Sequence, residues 1–367
     1  MTPVPVPDPT PDPTPDPSSM LAARLHAAGD LRTGTEPIPA TEPGDGRQLV
    51  RVTAVGICGS DLHWFAEGGI GDARLAAPLV IGHEAAGVVV GGPRDGQRVA
   101  IDPAVPCGHC ELCLAGHRNL CPTVGFLGHG ATDGALRQYL TWPDHLLPPL
   151  PDTLSDADGA MLEPLGVAVH AVDLGHQRIA STVVVVGCGP IGLCLVQLAR
   201  AAGATTVIAA DPLPHRAEAA ARFGAHVVVP ADAAGFAAGV AEATRGRGVD
   251  VAYEAAGTDA AVALAIEAAM PGARVVLAGI PDADTTVIPA STARRKGLTL
   301  VMVRRMKEVY PRSTALVERG LVDVRGLVSH SFSLVEAPKA FAVAQAREGL
   351  KVMIEPTGDD DEAGGAR

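Results

Sequence analysis

The sequence predicts an α/β protein in two parts: a β-rich part, then a doubly wound parallel sheet of six strands. Three observations carry that reading. Short apolar runs broken by Gly and Pro fill residues 20–160, the texture of strands and loops. Strand–helix alternation then occupies residues 182–303, which calls for parallel strands joined by crossover helices. Gly187, Gly189 and Gly192 fall where the first strand of that alternation passes into a helix, the place where such a sheet receives a dinucleotide.

Residues 1–19 repeat Asp-Pro-Thr-Pro and have almost nothing to bury, so they are expected to be a disordered, extended tail; Met20 is a candidate true start. Residues 358–367 are Asp- and Gly-rich and are expected to be a second disordered, acidic tail. Between the tails, residues 20–164 form the β-rich part, with strand signals at Leu49–Val55, Gly87–Val90 and Arg98–Ile101. Residues 165–303 form the parallel-sheet part. Its strands are expected at Thr182–Val186, Val207–Ala210, His226–Val229, Val249–Tyr253, Arg274–Ala278 and Leu298–Val303, with helices between the first five. Residues 304–357 change texture again. Helices are expected over Pro311–Gly320 and Leu334–Gly349 and a short strand over Lys351–Ile354, with this piece returning to the first part.

Composition narrows the function classes. The formal net charge is −12, about half of it from Asp8, Asp12 and Asp16 and from the acidic C-terminal tail, and no basic stripe offsets it. Nucleic acid is therefore not an expected partner. No apolar run reaches 18 residues, so no membrane span or membrane partner is expected. The N-terminus lacks a basic segment followed by an apolar one, the mark of a signal peptide. Seven cysteines are present, four of them within fifteen residues, which suits a metal site better than a disulfide framework and places the chain in a reducing, cytoplasmic setting.

The glycine pattern has a mechanism at each position. Gly187 permits the tight turn, Gly189 lets backbone approach a pyrophosphate, and Gly192 lets helix and strand pack closely. Pro190 and Ile191 open the helix whose N-terminal N–H groups would face the phosphates. Asp211, nineteen residues after Gly192, ends the second strand; a carboxylate there accepts bonds from the adenosine ribose and repels a 2′-phosphate, favouring NAD over NADP. The competing reading of Asp211 is a helix N-cap, since Pro212 follows. Arg216 either covers the adenine or is a solvated helix residue, and the sequence leaves both open.

Cys107, Cys110, Cys113 and Cys121 place four thiolates in one loop. Zinc takes four ligands in a tetrahedron about 2.3 Å from each sulfur, and a closed four-cysteine set is a structural site. His109 and His117 lie in the same loop as surplus. A second set is dispersed: Cys58 in Gly-Ile-Cys-Gly-Ser-Asp-Leu-His63, His83-Glu84 after Gly82, and Glu163 in Met-Leu-Glu-Pro-Leu-Gly166. A thiolate, an imidazole and a carboxylate leave a fourth position open, which is the mark of catalytic zinc. Spacing alone does not bring these residues together.

In their order along the chain, these segments resemble the zinc-containing medium-chain dehydrogenase/reductase family from Met20 to about Pro356. Glu163-Pro164-Leu165, and Arg294-Arg295-Lys296-Gly297 through Pro311, look like its sorbitol/L-iditol/xylitol (polyol) and L-idonate dehydrogenase branch. The resemblance implies a GroES-like catalytic domain completed by residues 304–357, a Rossmann domain binding NAD, one catalytic and one structural zinc per chain, and a homotetramer or homodimer. It implies Cys58 and His83 as ligands of the catalytic zinc with Glu84 or Glu163 as the third, and the four clustered cysteines as ligands of the structural one. It also implies Arg305 as a residue reaching substrate hydroxyls.

Zinc as a Lewis acid would acidify a bound alcohol, which then gives hydride to the nicotinamide ring. Ser60 would take the proton and His63 would pass it towards solvent. The expected reaction is oxidation of a secondary hydroxyl of a polyol or sugar-like substrate. L-Idonate, 2,3-butanediol or another secondary alcohol is the alternative, and a non-catalytic NAD-binding protein the remote one. Trp64, Met306 and the loop from Phe126 to Asp133, with His129 in it, depart from the branch where the substrate pocket is implied; Trp64, Phe126, Glu163 and Arg305 are the candidate substrate residues. His170, Cys188 and Cys194 are read as packing residues.

Overall fold

The structure, a computed structural model, describes residues 18–42, 44–281 and 283–357. Both expected tails lie outside the described residues except for Ser18 and Ser19, and Ser19 opens the first strand, Ser19–Ala27.

Six parallel strands build the second part. In spatial order they are Val227–Val228, Thr206–Ala210, Thr182–Val186, Val249–Glu254, Ala269–Leu277 and Thr299–Met302. The chain works outward from Thr182–Val186 to one edge, then returns beside it and works to the other. That reversal opens a crevice at the carboxyl ends of the two central strands, where ligands bind in such sheets. Thr182–Val186 is apolar almost throughout because helices cover both faces of the sheet; four of its five residues are buried.

Every consecutive pair of these strands is joined by a helix, including the last pair. The helix Ala290–Lys296 was not expected. It is only seven residues long and shows little apolar period, but it has sound ends: Pro289 precedes it, three basic residues fill its last turn, and Gly297 closes it in the left-handed conformation.

The first part is built on a mixed sheet in the order Val328–Ser333, Lys351–Glu355, Arg47–Gly56, Glu84–Val90 and Arg98–Ile101, with Tyr139–Pro143 also paired to Arg47–Gly56. The C-terminal piece therefore returns, as expected: Met353 pairs with Gly56 and Ile354 with Val55. The expected helix over Leu334–Gly349 is shorter, a 3₁₀ turn Leu334–Glu336 leading into Ala337–Gln345.

The helix Asp156–Gly175 joins the two parts. Ser155 and Asp158 cap it reciprocally: Ser155 Oγ accepts from Asp158 N at 3.1 Å, and Asp158 Oδ2 accepts from Ser155 N at 2.8 Å. It packs on Glu84–Val90 and Arg47–Gly56 on one side and on helix Pro190–Ala201 on the other. It is buried almost all round, as a helix sandwiched between two layers must be. The expected boundary between residues 164 and 165 falls inside this helix, so one rigid element carries Glu163 and spans both parts.

Candidate active site

Glycine geometry shapes the dinucleotide crest. Gly187 has φ +93°, and a Cβ there would stand 2.8 Å from Ala256 N. A Cβ on Gly192 would collide with Gly187 O. Gly189 is the N-cap of helix Pro190–Ala201. Asp211 accepts from Cys188 N at 2.7 Å through Oδ2 and from Leu213 N at 2.9 Å through Oδ1. The N-cap of the following helix is Leu213, so the capping alternative for Asp211 does not hold. Arg216 is not a solvated helix residue. Its Nε is buried without a partner, and its guanidinium lies 3.6 Å from where a Gly189 Cβ would stand.

In the cysteine lobe, the four sulfurs of Cys107, Cys110, Cys113 and Cys121 all lie within 4.8 Å of one another. Cys107 Sγ and Cys113 Sγ are 3.9 Å apart; a zinc–sulfur tetrahedron has edges of about 3.8 Å. The N–H groups of Cys107, Cys110 and Cys113 each point at a sulfur of the set, at 3.4 Å. Backbone N–H groups of His109 and Cys110 draw the Cys107 thiol down to about 6, while burial pushes that of Cys113 up to about 12. Geometry and donor set fit zinc. Cys188 and Cys194 are fully buried elsewhere, and burial raises both thiols to about 12.

The dispersed set is gathered around His83. Cys58 is the N-cap of helix Gly59–Glu67, and His83 and Glu84 sit where strand Glu84–Val90 begins. Asp61, wholly buried, ties them together: it accepts from Cys58 N at 3.0 Å and Gly82 N at 3.1 Å, and its Oδ1 lies 3.3 Å from His83 Nδ1 without hydrogen-bond alignment. Burial opposes charge on His83, but Asp61 and Cys58 outweigh it and hold the ring above its ordinary pKa. Glu84 Oε2 accepts from Lys351 Nζ at 2.5 Å, and the same ammonium donates to Ile57 O at 3.0 Å. Glu84 Oε1 is buried with no partner, a bare carboxylate oxygen of the kind a cation satisfies. Glu163 is buried beside His83, Glu84 and Lys351, and burial lifts its pKa to about 7. Donor chemistry and the orphaned oxygen fit zinc here too. Among the described residues, however, only the lobe brings three or more such donor atoms all within 4.8 Å of one another.

Residues 44–152 match the model of the alcohol dehydrogenase GroES-like domain, and residues 190–319 that of the zinc-binding dehydrogenases. A sorbitol dehydrogenase of Bacillus subtilis is 35% identical over 92% of this chain and 98% of that enzyme. The chain is a zinc-containing medium-chain dehydrogenase. Among solved structures, an oxidoreductase/dehydrogenase of unknown specificity from Escherichia coli superposes with a TM-score of 0.87 at 31% identity, covering 93% of this chain and 100% of that one. L-Idonate 5-dehydrogenase from Escherichia coli K-12 gives 0.84 at 26% identity, covering 92% and 98%.

Aromatic rings pack on the dehydrogenase's His83. Phe126 lies 5.3 Å from the His83 ring and 4.9 Å from the His129 ring, centroid to centroid. The Arg305 guanidinium stands 4.1 Å over Phe126, its Nη1 is buried without a partner, and burial lowers its pKa to about 10. Arg305 holds this place with φ +53°, a left-handed conformation unusual for a side chain of its size. Trp64 corrects the sequence reading. It is fully buried and meets the His129 ring edge-on at 5.8 Å, so it backs the aromatic rings and has no surface for a substrate.

Ser60 and His63 lie three residues apart on helix Gly59–Glu67, hence on one face; Ser60 is buried and His63 Nδ1 is 3.3 Å from Glu67 Oε1. His170 is buried, and burial lowers its pKa. Two residues of the site had no role in the sequence reading. Asp61 stands inside a motif that was recognised for its neighbours. Lys351 left one signal, a lysine opening the strand just before the apolar run Val352–Ile354.

Proposed function

We propose that this dehydrogenase oxidises a secondary hydroxyl of a polyol or sugar-like substrate and delivers the hydride to NAD. The observation that carries the reading is a carboxylate pair, Glu84 and Glu163, buried beside Cys58 and His83 and overlooked by the unpartnered Nη1 of Arg305. An apolar cleft with a few convergent polar groups suits a small, hydroxyl-rich molecule.

Cys58, His83 and a carboxylate would hold the catalytic zinc, and Cys107, Cys110, Cys113 and Cys121 the structural one. The orphaned Oε1 favours Glu84 as the third ligand, leaving Glu163 to face the reacting hydroxyl. Zinc would supply Lewis acidity to that hydroxyl. The chain does the rest. Asp61 holds the backbone at Cys58 and Gly82 and sets its negative charge beside the His83 ring. Ser60 accepts the departing proton, and His63, on the same helix face, passes it outward. Arg305 and Phe126 orient the substrate. Helix Asp156–Gly175 closes the base of the cleft to water.

At the crest, Gly187, Gly189, Pro190, Ile191 and Gly192 take the pyrophosphate, and Arg216 covers the adenine. The Asp211 carboxylate disfavours a 2′-phosphate, hence NAD over NADP. Residues 20–164 with 304–357 serve as the catalytic domain and 165–303 as the cofactor domain. A homodimer or homotetramer is supported by the open edge of strand Thr299–Met302, where Met302 is exposed. No helix among the described residues is long and apolar enough to cross a membrane. All seven cysteines are unpaired, in keeping with a reducing cytoplasm.

The test is absorbance at 340 nm with zinc-replete protein, NAD and a panel of sorbitol, xylitol, L-iditol, L-idonate and 2,3-butanediol. A rise with a polyol, weaker with NADP, is expected. Turnover confined to simple secondary alcohols, or absent throughout, would overturn the reading. L-Idonate is the second reading, favoured by the cationic, unpaired Arg305.

A further inference from the structure

We infer that His129 is a specificity-determining residue: its ring presents Nε2 to the cleft as an acceptor for a substrate hydroxyl that is not the one oxidised. The inference rests on the proposed polyol reaction and assigns one side chain to the recognition of a polyol as such.

Backbone fixes the place of this ring. Gly134 N donates to Val80 O at 2.6 Å, Ala135 N to Gly82 O at 2.8 Å and Leu136 N to Ile81 O at 3.1 Å. Gly128, with φ +73°, has no room for a side chain, because a Cβ would stand 2.8 Å from Gly82 O. The loop holding His129 is thus clamped on the segment that leads into His83. Its ring lies 5.1 Å from that of His83 and packs on Phe126 and Trp64.

The hydrogen-bond inventory sets the direction of the ring. Nδ1 lies 3.3 Å from Leu127 O. A carbonyl only accepts, so Nδ1 carries a proton, and in the neutral ring Nε2 is the acceptor. Nε2 makes no hydrogen bond among the described residues, and the ring is only partly buried. Over the Phe126 ring, 4.1 Å from its centroid, stands the Arg305 guanidinium, a donor with an unused N–H. One acceptor and one donor flanking an apolar ring read two properties of hydroxyl groups: the O–H given to Nε2 and the lone pair taken by Nη1. A monoalcohol has nothing to offer either. A site built around such a bond penalises the analogue lacking it, because the polar group is then left unpaired.

The experiment compares wild type, His129→Phe and His129→Gln, first checked for zinc content and Tm. For each, kcat/KM is measured with the best polyol and with 2-butanol, and the affinity of both alcohols for the enzyme–NADH complex is read from NADH fluorescence. The expected result is a 10- to 100-fold loss of kcat/KM for the polyol in His129→Phe, at least tenfold larger than the loss for 2-butanol. The affinities should follow the same pattern, with substantial recovery in His129→Gln. Equal losses for both alcohols would mean that His129 only positions His83, and no loss would mean that the ring is wall; either overturns the inference. Wild-type protein that neither turns over nor binds any polyol would instead overturn the proposed function beneath it.

Discussion

The cysteine lobe and the base of the cleft both gather soft and anionic side chains around a point, but they are built on different length scales. The lobe closes within fifteen residues, and its backbone N–H groups point at its own sulfurs. The cleft draws on the turn after one strand, the start of another, a helix shared by both parts, and a C-terminal strand whose Lys351 meets Ile57 across 294 residues of sequence. A local site can be counted from spacing. A dispersed one exists only after the sheet has formed, and its supporting charges come from wherever the topology delivers them.

That contrast can be broken most forcefully at Lys351. In zinc-free protein, replacing it by Met leaves the Glu84 carboxylate buried and unpaired, and breaking a buried pair from one side costs about 3–5 kcal/mol. Urea unfolding should show a loss of that size, partly restored in the double variant Glu84→Gln/Lys351→Met. Cys113→Ser should instead leave the core transition nearly in place while limited proteolysis opens residues 107–121. A global loss from Cys113→Ser as large as that from Lys351→Met would erase the distinction between the two regions.

A smaller effect separates the cofactor crest from both. Asp211→Asn removes the charge and keeps an acceptor for only one of Cys188 N and Leu213 N. The ratio of kcat/KM with NAD to that with NADP should fall about tenfold, the scale of one charged hydrogen bond. An unchanged ratio would assign Asp211 to the turn alone.

A pH-dependent effect lies just after strand Arg98–Ile101, on the way to the lobe. Burial lifts the Asp102 carboxyl from its ordinary 3.8 to about 6. Between those values the folded state holds a proton that the unfolded state has lost, so stability falls as pH rises through the window, by about 3 kcal/mol in all. Asp102→Asn removes that slope. It should be more stable than wild type by about 2–3 kcal/mol at pH 7, a gain that shrinks to nothing near pH 4; parallel stability curves from pH 4 to 7 would refute this.

Much of the fold was legible because its signals are local. The six strands follow from apolar runs between helices, the glycine crest from three residues in six, and the lobe from four cysteines in one loop. The helix Ala290–Lys296 was missed because seven residues with little apolar period look like a loop. Trp64 was misplaced for a related reason. Helix Gly59–Glu67 buries Ser60, Asp61 and Trp64 together, so the residue after His63 turns into the core and not into the cleft. The Glu84–Lys351 pair could not be read at all, since nothing in the sequence says which strand will lie beside Gly56. Of the cleft, the sequence named Cys58, His83, Glu84 and Glu163 through a resemblance; their convergence needed the sheet.

The central claim is that two zinc sites of different construction serve one NAD-linked reaction. It is tested most directly by metal content measured beside turnover, in wild type and Cys58→Ala. The account predicts two zincs per chain in wild type, and one in the variant with its fold intact and turnover abolished. Two zincs retained in Cys58→Ala, or full turnover with one, would contradict it.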